Sequence, residues 1–324
     1  MPAAPDSAAP LRRLPPPAPL LLAGPTAIGK SEVALLLAEC LQGEIVSVDS
    51  MQVYRGLDIG TAKPTEAERS RVPHHLLDIV ELTESFDATT FVTLAHDAVR
   101  QIQARGRLPI LCGGTGLYFK AFLEGLGEAP PADPALRVEL EATPLPELLR
   151  ELAERDPMTF DTIDRQNPRR VIRAVEVIRL TGKPFSRQRA AWAAGAQIPN
   201  TPDGPRFLAL ARPAADLRTR IDARVDQMFA RGLVGETQQL LQRGLAHNPT
   251  AMQAIGYRQV VDYLHGQRSL PETVSLVKQR TRQFTKRQLT WFKHQLPVTW
   301  VPWPAHETAA DMAARLAALR QTAP

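Results

Sequence analysis

The chain of 324 residues contains 44% hydrophobic and 23% charged residues, which is typical of globular proteins and unlike disordered or membrane-embedded ones. Its length predicts one large domain with an insertion, or two domains. The formal net charge is +5, yet residues 278–294 alone carry six Lys or Arg and no acid, so the remaining chain is close to neutral. Such concentrated positive charge indicates a polyanionic partner.

Seven prolines among residues 1–19 predict a disordered leader. These prolines interrupt the apolar segment that a signal peptide needs, and no apolar run approaches the roughly 20 residues of a membrane span. We therefore expect a cytoplasmic protein. Cys40 and Cys112 are the only cysteines, which argues against a disulfide framework or a metal cluster and suggests that both are buried.

The first predicted strand leads from Leu20 into a segment that we call the first glycine loop (residues 24–31). Its spacing, Gly-x4-Gly-Lys-Ser, predicts phosphate binding: backbone N–H groups face the anion, Lys30 adds a charge, and Ser31 can ligate magnesium. The helix that follows, residues 31–41, points its N-terminal partial charge at the same site. The predicted diphosphate-binding residues here are Gly24, Pro25, Thr26, Ala27, Ile28, Gly29, Lys30 and Ser31.

Apolar runs then alternate with helical patterns, which favours an α/β fold with a parallel sheet covered on both faces. Strands are predicted at residues 44–49, 76–80, 109–113, 206–211 and 298–302. Residues 130–205 are predicted to be an all-helical insertion, with a helix starting at Asn167-Pro168 and ending near Gly182. Residues 20–129 and 206–324 form the predicted catalytic core, in which helices cover residues 89–105, 116–126, 217–231, 233–243, 256–264 and 271–295.

Asp49 ends a predicted strand about twenty residues beyond the first glycine loop, so it should face the phosphates. It could be a magnesium ligand, a general base or a turn residue. The second glycine turn (residues 113–116) also follows a strand. It could face a bound anion, or it could only reverse the chain direction between the strand and the next helix. Thr115 within it could cap the next helix, donate to a ligand, or do both.

Arg220 and Arg224 are four residues apart and share a helix face. They could neutralise a diphosphate, or pair at the surface with Asp222 or Asp226. In the last long helix, basic side chains interleave with Phe284 and Trp291, as suits an RNA backbone with stacked bases; a solvated helix is the alternative. The basic residues in question are Lys278, Arg282, Lys286 and Lys293, with a second cluster at Arg165, Arg169, Arg170 and Arg173.

Most of the chain beyond the leader resembles the tRNA dimethylallyltransferases, also called tRNA isopentenyltransferases. The run from Asp49 to Pro64 is the most specific part of the resemblance. The matching segments are 24–26, 29–31, 48–54, 56–64, 72–75, 113–118, 167–170, 173–174, 255–259 and 286–291.

The resemblance implies transfer of a dimethylallyl group from its diphosphate to N6 of adenosine 37 in tRNA, with Mg²⁺ required and a monomeric protein. It implies that the loop holds the prenyl diphosphate rather than ATP, that Asp49 is the general base, and that Lys30 and Thr115 assist catalysis. It implies tRNA contacts from Asp49, Ser50, Met51, Gln52, Thr115, Arg137, Arg169, Arg170, Val171, Ile172, Arg173, Gln253, Ala254, Ile255, Gly256, Tyr257, Arg258, Lys286, Arg287, Gln288, Leu289, Thr290, Trp291, Phe292 and Lys293. Gln253 departs from family members that carry arginine there.

Two other functions fit the first glycine loop when it is taken alone. A small-molecule kinase would bind ATP tightly and ignore tRNA. A non-catalytic RNA-binding switch would bind or hydrolyse a nucleotide without modifying RNA.

Overall fold

A computed structural model describes residues 17–126, 129–188 and 206–321. Six parallel strands form one sheet in the order β3-β2-β4-β1-β5-β6. Every residue of β1, β2 and β4 is buried, as expected where helices cover both faces of a parallel sheet. The predicted α/β class is confirmed. The strands are β1 (Leu20–Ala23), β2 (Gly43–Val48), β3 (His74–His75), β4 (Leu108–Gly113), β5 (Arg206–Ala211) and β6 (Thr299–Pro302).

Thirteen α-helices are assigned within the described ranges, and most lie within a few residues of their predicted bounds. Two short 3-10 helices, Leu245–His247 and Ala251–Gln253, precede α11. The α-helices are α1 (Lys30–Cys40), α2 (Glu66–Arg71), α3 (Ala88–Ala104), α4 (Gly116–Glu124), α5 (Pro134–Ala142), α6 (Leu145–Arg155), α7 (Pro157–Thr162), α8 (Pro168–Thr181), α9 (Ala214–Ala230), α10 (Leu233–Gln242), α11 (Tyr257–Leu264), α12 (Leu270–Gln295) and α13 (Ala309–Gln321).

Two hydrophobic clusters lie on opposite faces of the sheet. Leu21 belongs to one, whereas Leu20 and Leu22 belong to the other, as the two-residue repeat of a strand requires. Each fully buried leucine side chain contributes about 1.5–3 kcal/mol to folding. The packed faces hold β2, β4 and β1 side by side, so that the loops after these strands meet at one edge of the sheet.

Helices α5 to α8 come between β4 and β5 and share a separate hydrophobic cluster that includes Leu148, Leu152 and Val175. Helix α8 starts as predicted, because the Asn167 side chain accepts from the Arg170 N–H, and it ends at Gly182 with a φ of 69°. The domain bounds at 130 and 205 stay a prediction, and residues 189–205 lie outside the described ranges.

Three predictions need correction or limitation. Residues 76–80 are not a strand, because Leu76 and Asp78 have φ of 62° and 53°, which an extended chain does not allow. Cys40 is exposed at the end of α1 rather than buried. Residues 1–16 of the predicted leader are outside the described part, and the Pro17 carbonyl accepts a hydrogen bond from Gln103 of α3.

Among the helices that the structure describes, none is both long enough and apolar enough to cross a membrane.

Candidate active site

The carboxyl ends of three neighbouring strands meet at a cavity of about 400 Å³. The first glycine loop follows β1, Asp49 follows β2, and the second glycine turn follows β4. Residues from all three segments line the cavity, as do residues of α9 and α12 and one residue of α8. We call this cavity the cleft. It lies where ligands bind in open parallel α/β sheets.

The backbone of the first glycine loop is held by two arginines. Arg220 of α9 donates from Nε to the Ala27 carbonyl at 3.0 Å, and Arg212 donates from Nε to the Ile28 carbonyl at 3.1 Å. Ala27 and Gly29 have φ of 62° and 99°. Because the first N–H groups of a helix have no partner within it, the start of α1 offers donors to an anion.

Lys30 and Arg224 bring two positive charges into the cleft. Burial lowers the pKa of Lys30, and the Arg224 guanidinium lowers it further, whereas Asp49 raises it. Burial likewise lowers the pKa of Arg224, with Asp49 opposing that shift. The Arg224 Nε is buried and has no hydrogen-bond partner among the described residues. Because buried charge is costly unless it is compensated, this pair favours binding of an anion.

Asp49 lies at the end of β2 with its carboxylate oriented by the backbone. Its Oδ1 accepts from the N–H groups of Met51 at 2.9 Å and Gln52 at 3.3 Å. Thr115 occupies the N-cap position of α4 without making a side-chain cap bond; its Oγ1 instead accepts from the Ser50 N–H at 3.2 Å. The second glycine turn therefore supports the segment that carries Asp49.

Helix α12 supplies one wall of the cleft through Arg287, Gln288 and Phe284, among other residues. Two of its predicted RNA-binding cations are engaged elsewhere. Lys278 pairs with Asp226 at 2.7 Å, and Arg282 Nε donates to Asp222 at 3.0 Å. Asp222 and Asp226 of α9 thus pair with α12 rather than with Arg220 or Arg224.

The cleft brings together residues from every predicted tRNA-binding stretch except the position of Arg137. Arg169 lines it from α8 and donates to the Pro249 carbonyl at 2.9 Å, which joins the helical segment to the sheet-containing part. The predicted site residues that line the cleft are Thr26, Lys30, Ser31, Asp49, Ser50, Met51, Gln52, Thr115, Arg169, Arg224, Gln253, Ala254, Ile255, Arg287 and Gln288.

Other predicted site residues lie away from the cleft lining. Arg137, expected to contact tRNA, instead donates to the buried Glu176 of α8 at 3.0 Å. The side chains of Val171, Tyr257 and Phe292 are fully buried, so they have no surface with which to contact RNA. The remaining members outside the lining are Gly24, Pro25, Ala27, Ile28, Gly29, Arg170, Ile172, Arg173, Arg220, Gly256, Arg258, Lys286, Leu289, Thr290, Trp291 and Lys293.

Several residues of the cleft were not among the predicted site residues. Met228 follows Arg224 at a spacing of four on α9, so helical periodicity from Arg224 could have indicated it, and Val225 lies three residues before Met228. The same periodicity from Gln288 indicates Thr281 and Phe284 on α12. Gly113, Gly114 and Phe284 had been considered only as a possible rim or stacking surface, and the lining residues missing from the prediction altogether are Gly60, Thr61, Cys112, Val225, Met228, Val277 and Thr281.

The two cysteines are expected to differ sharply in reactivity. Burial raises the pKa of Cys112 to about 11, whereas Cys40 is exposed. Because the thiolate is the reactive form, iodoacetamide at pH 8 should modify Cys40 and leave Cys112 intact until the protein is unfolded in urea. Peptide mass spectrometry measures both sites, and equal labelling of the folded protein would contradict the buried position of Cys112.

The fold and the cleft define a class: α/β proteins in which a strand, a glycine loop and a helix open onto a ligand site at the carboxyl ends of parallel strands. The IPP transferase family model matches residues 52–295. The chain is 46% identical over 299 residues to tRNA dimethylallyltransferase 1 of Trichlorobacter lovleyi, covering 91% of this chain and 97% of that protein. It is 44% identical over 287 residues to the Pelotomaculum thermopropionicum tRNA dimethylallyltransferase, covering 87% and 90%.

Solved structures agree with these sequence matches. The tRNA isopentenylpyrophosphate transferase of Bacillus halodurans superposes with a TM-score of 0.67 at 39% identity, covering 94% of this chain and 97% of that one. A eukaryotic dimethylallyltransferase acting on tRNA gives a TM-score of 0.71 at 28% identity, with 92% and 75% covered. This chain belongs to the IPP transferase family.

Proposed function

We propose that this protein transfers the dimethylallyl group of dimethylallyl diphosphate to N6 of adenosine 37 in tRNA, releasing diphosphate. The observation that carries the proposal is one cleft in which two half-buried cations, Lys30 and Arg224, lie with Asp49. The cations suit a diphosphate, and the carboxylate suits a proton acceptor. Membership of the IPP transferase family supports the same reaction.

The diphosphate is proposed to lie against the N-terminus of α1. There the N–H groups of the first turn, Lys30 and Arg224 can meet its oxygens. The apolar side chains of Val225, Met228 and Val277 line the same cleft and provide a surface for the five-carbon chain. Apolar surface beside placed polar groups is typical of a small-ligand site.

Magnesium is part of the proposal, and the oxygen donors present fit it. The Ser31 hydroxyl lines the cleft, and no group of three or more acidic, His or Cys side chains that could hold a metal occurs among the described residues. Mg²⁺ is commonly held by few protein oxygens together with substrate phosphates and water. When bound, it neutralises charge on the diphosphate oxygens.

The reaction breaks the bond between C1 of the dimethylallyl group and the diphosphate oxygen, and that oxygen keeps the electron pair. The N6 lone pair forms the new bond to C1, and Asp49 accepts the proton that N6 loses. Lys30, Arg224 and the N–H groups at the start of α1 stabilise the charge that develops on the leaving diphosphate. A positioned carboxylate is needed because an adenine amine is a weak nucleophile.

The tRNA is proposed to bind across the rim of the cleft formed by three separate elements. Arg169 comes from α8, Gln253 from the second 3-10 helix, and Arg287 from α12, and all three side chains are exposed. Adenosine 37 must leave its stack to reach Asp49, as enzymes that act on a base commonly require. We propose that helices α5 to α8 hold the anticodon arm, and that the enzyme is a cytoplasmic monomer.

Radiolabelled dimethylallyl diphosphate, Mg²⁺ and unmodified tRNA test the proposal in one incubation. We expect label in the RNA fraction, with diphosphate released in equal amount, and no stimulation by ATP. Label that stays in the small-molecule fraction, together with tight ATP binding, would favour the kinase. Binding of RNA without any transfer of label would favour the non-catalytic switch.

A further inference from the structure

The Gln288 side chain joins the two glycine segments of the cleft. Its Oε1 accepts from the Thr26 N–H of the first glycine loop at 2.9 Å, and its Nε2 donates to the Gly114 carbonyl of the second glycine turn at 2.9 Å. The side chain is 7% exposed. Both ends of a single amide therefore connect segments that follow the neighbouring strands β1 and β4.

Glycines in the second turn allow α12 to approach this closely. A Cβ atom at Gly114 would lie 2.4 Å from the Gln288 Nε2, and one at Gly116 would lie 2.0 Å from Cδ1 of Trp291. At either position a Cβ atom would force the neighbouring side chain to move, so the two glycines leave room for Gln288 and Trp291 where they now lie. The second glycine turn is thus a docking point for α12 as well as a wall of the cleft.

We propose that Gln288 is a positioning residue. It fixes the distance between the diphosphate-binding side of the cleft, which carries Lys30, and the adenine-binding side, which carries Asp49. The first glycine loop contains Lys30. The second glycine turn contains Thr115, whose hydroxyl accepts a hydrogen bond from the N–H of Ser50, the residue after Asp49. The resemblance assigned Gln288 a tRNA contact, but its amide is occupied by the protein backbone, while the adjacent Arg287 is exposed at the rim.

The proposal rests on the proposed function, and Gln288→Met tests it. Methionine keeps the length of the side chain and removes both hydrogen bonds. Because displacements of about 1 Å can cost about 100-fold in rate, we expect kcat to fall about 10- to 100-fold, with the KM for tRNA within about two-fold of that of the unmodified protein. Gln279→Met, at an exposed position of the same helix, should change neither parameter.

A raised KM for tRNA with unchanged kcat would overturn the proposal in favour of an RNA contact. If the Met variant does not fold, amide hydrogen exchange of the unmodified protein decides instead: the Thr26 N–H should be protected, and exchange at the rate of an open loop would overturn the proposal. Lack of transfer by the unmodified protein would overturn the proposed function, whereas the Thr26 measurement would still decide the role of Gln288.

Discussion

Replacing Asp49 with asparagine should lower kcat by about 100- to 10,000-fold, the range expected for loss of a general base. The amide can still accept from Met51 and Gln52 through its oxygen, so the turn after β2 should persist. It cannot take the N6 proton. Single-turnover transfer with saturating tRNA measures the chemical step, and filter binding should give a tRNA Kd within about two-fold of the unmodified value.

Asp97→Asn is the matched control, because Asp97 is an acidic residue of α3 whose partner is Arg100 and which lies outside the cleft lining. It should leave both measurements unchanged. Full activity in the Asp49→Asn variant would remove Asp49 from the mechanism, and loss of tRNA binding alone would make it a contact residue rather than a base.

Arg224→Met should lower activity without lowering thermal stability. The side chain is half-buried, its buried Nε has no hydrogen-bond partner among the described residues, and the guanidinium donates to the Thr61 carbonyl at 3.4 Å. Removing it should lower kcat/KM for dimethylallyl diphosphate by about 100- to 1,000-fold, as for other groups that stabilise developing anionic charge. The thermal midpoint should stay unchanged or rise, because the desolvation cost of a half-buried charge is removed.

Arg218→Met provides the comparison from an exposed position of the same helix, and it should alter neither kcat/KM nor the midpoint. A fall of several degrees in the midpoint of the Arg224 variant, with kcat/KM retained, would show that Arg224 serves the fold and not the anion. Differential scanning fluorimetry and steady-state kinetics are sufficient to separate these outcomes.

Local patterns predicted the elements that build the cleft. The strand, glycine loop and helix around Lys30 follow from an apolar run, two glycines and a helix-forming segment that are adjacent in sequence. The strand ending before Asp49 was likewise visible as a buried run. In a parallel sheet these ends meet at one edge, so their juxtaposition could be expected before any coordinates were known.

Contacts between residues that are far apart in the sequence explain the features of the site that could not be predicted. The acids that pair with Lys278 and Arg282 lie 52 and 60 residues earlier, so α12 looked more basic than its free surface is. Gln288 meets Gly114 across 174 residues, which no helical periodicity reveals. The strand predicted at 76–80 is absent for a related reason. Asp78 accepts a hydrogen bond from Lys63, 15 residues earlier, and lies in a loop that is not extended.

The central claim is that N6 of adenosine 37 receives the dimethylallyl group. The most direct measurement incubates the protein with labelled dimethylallyl diphosphate, Mg²⁺ and either of two transcripts of one tRNA, with adenosine or guanosine at position 37. Nucleoside digestion and mass spectrometry should find N6-dimethylallyladenosine only in the adenosine transcript, at up to one per molecule. Equal labelling of both transcripts, or of neither, would contradict the claim.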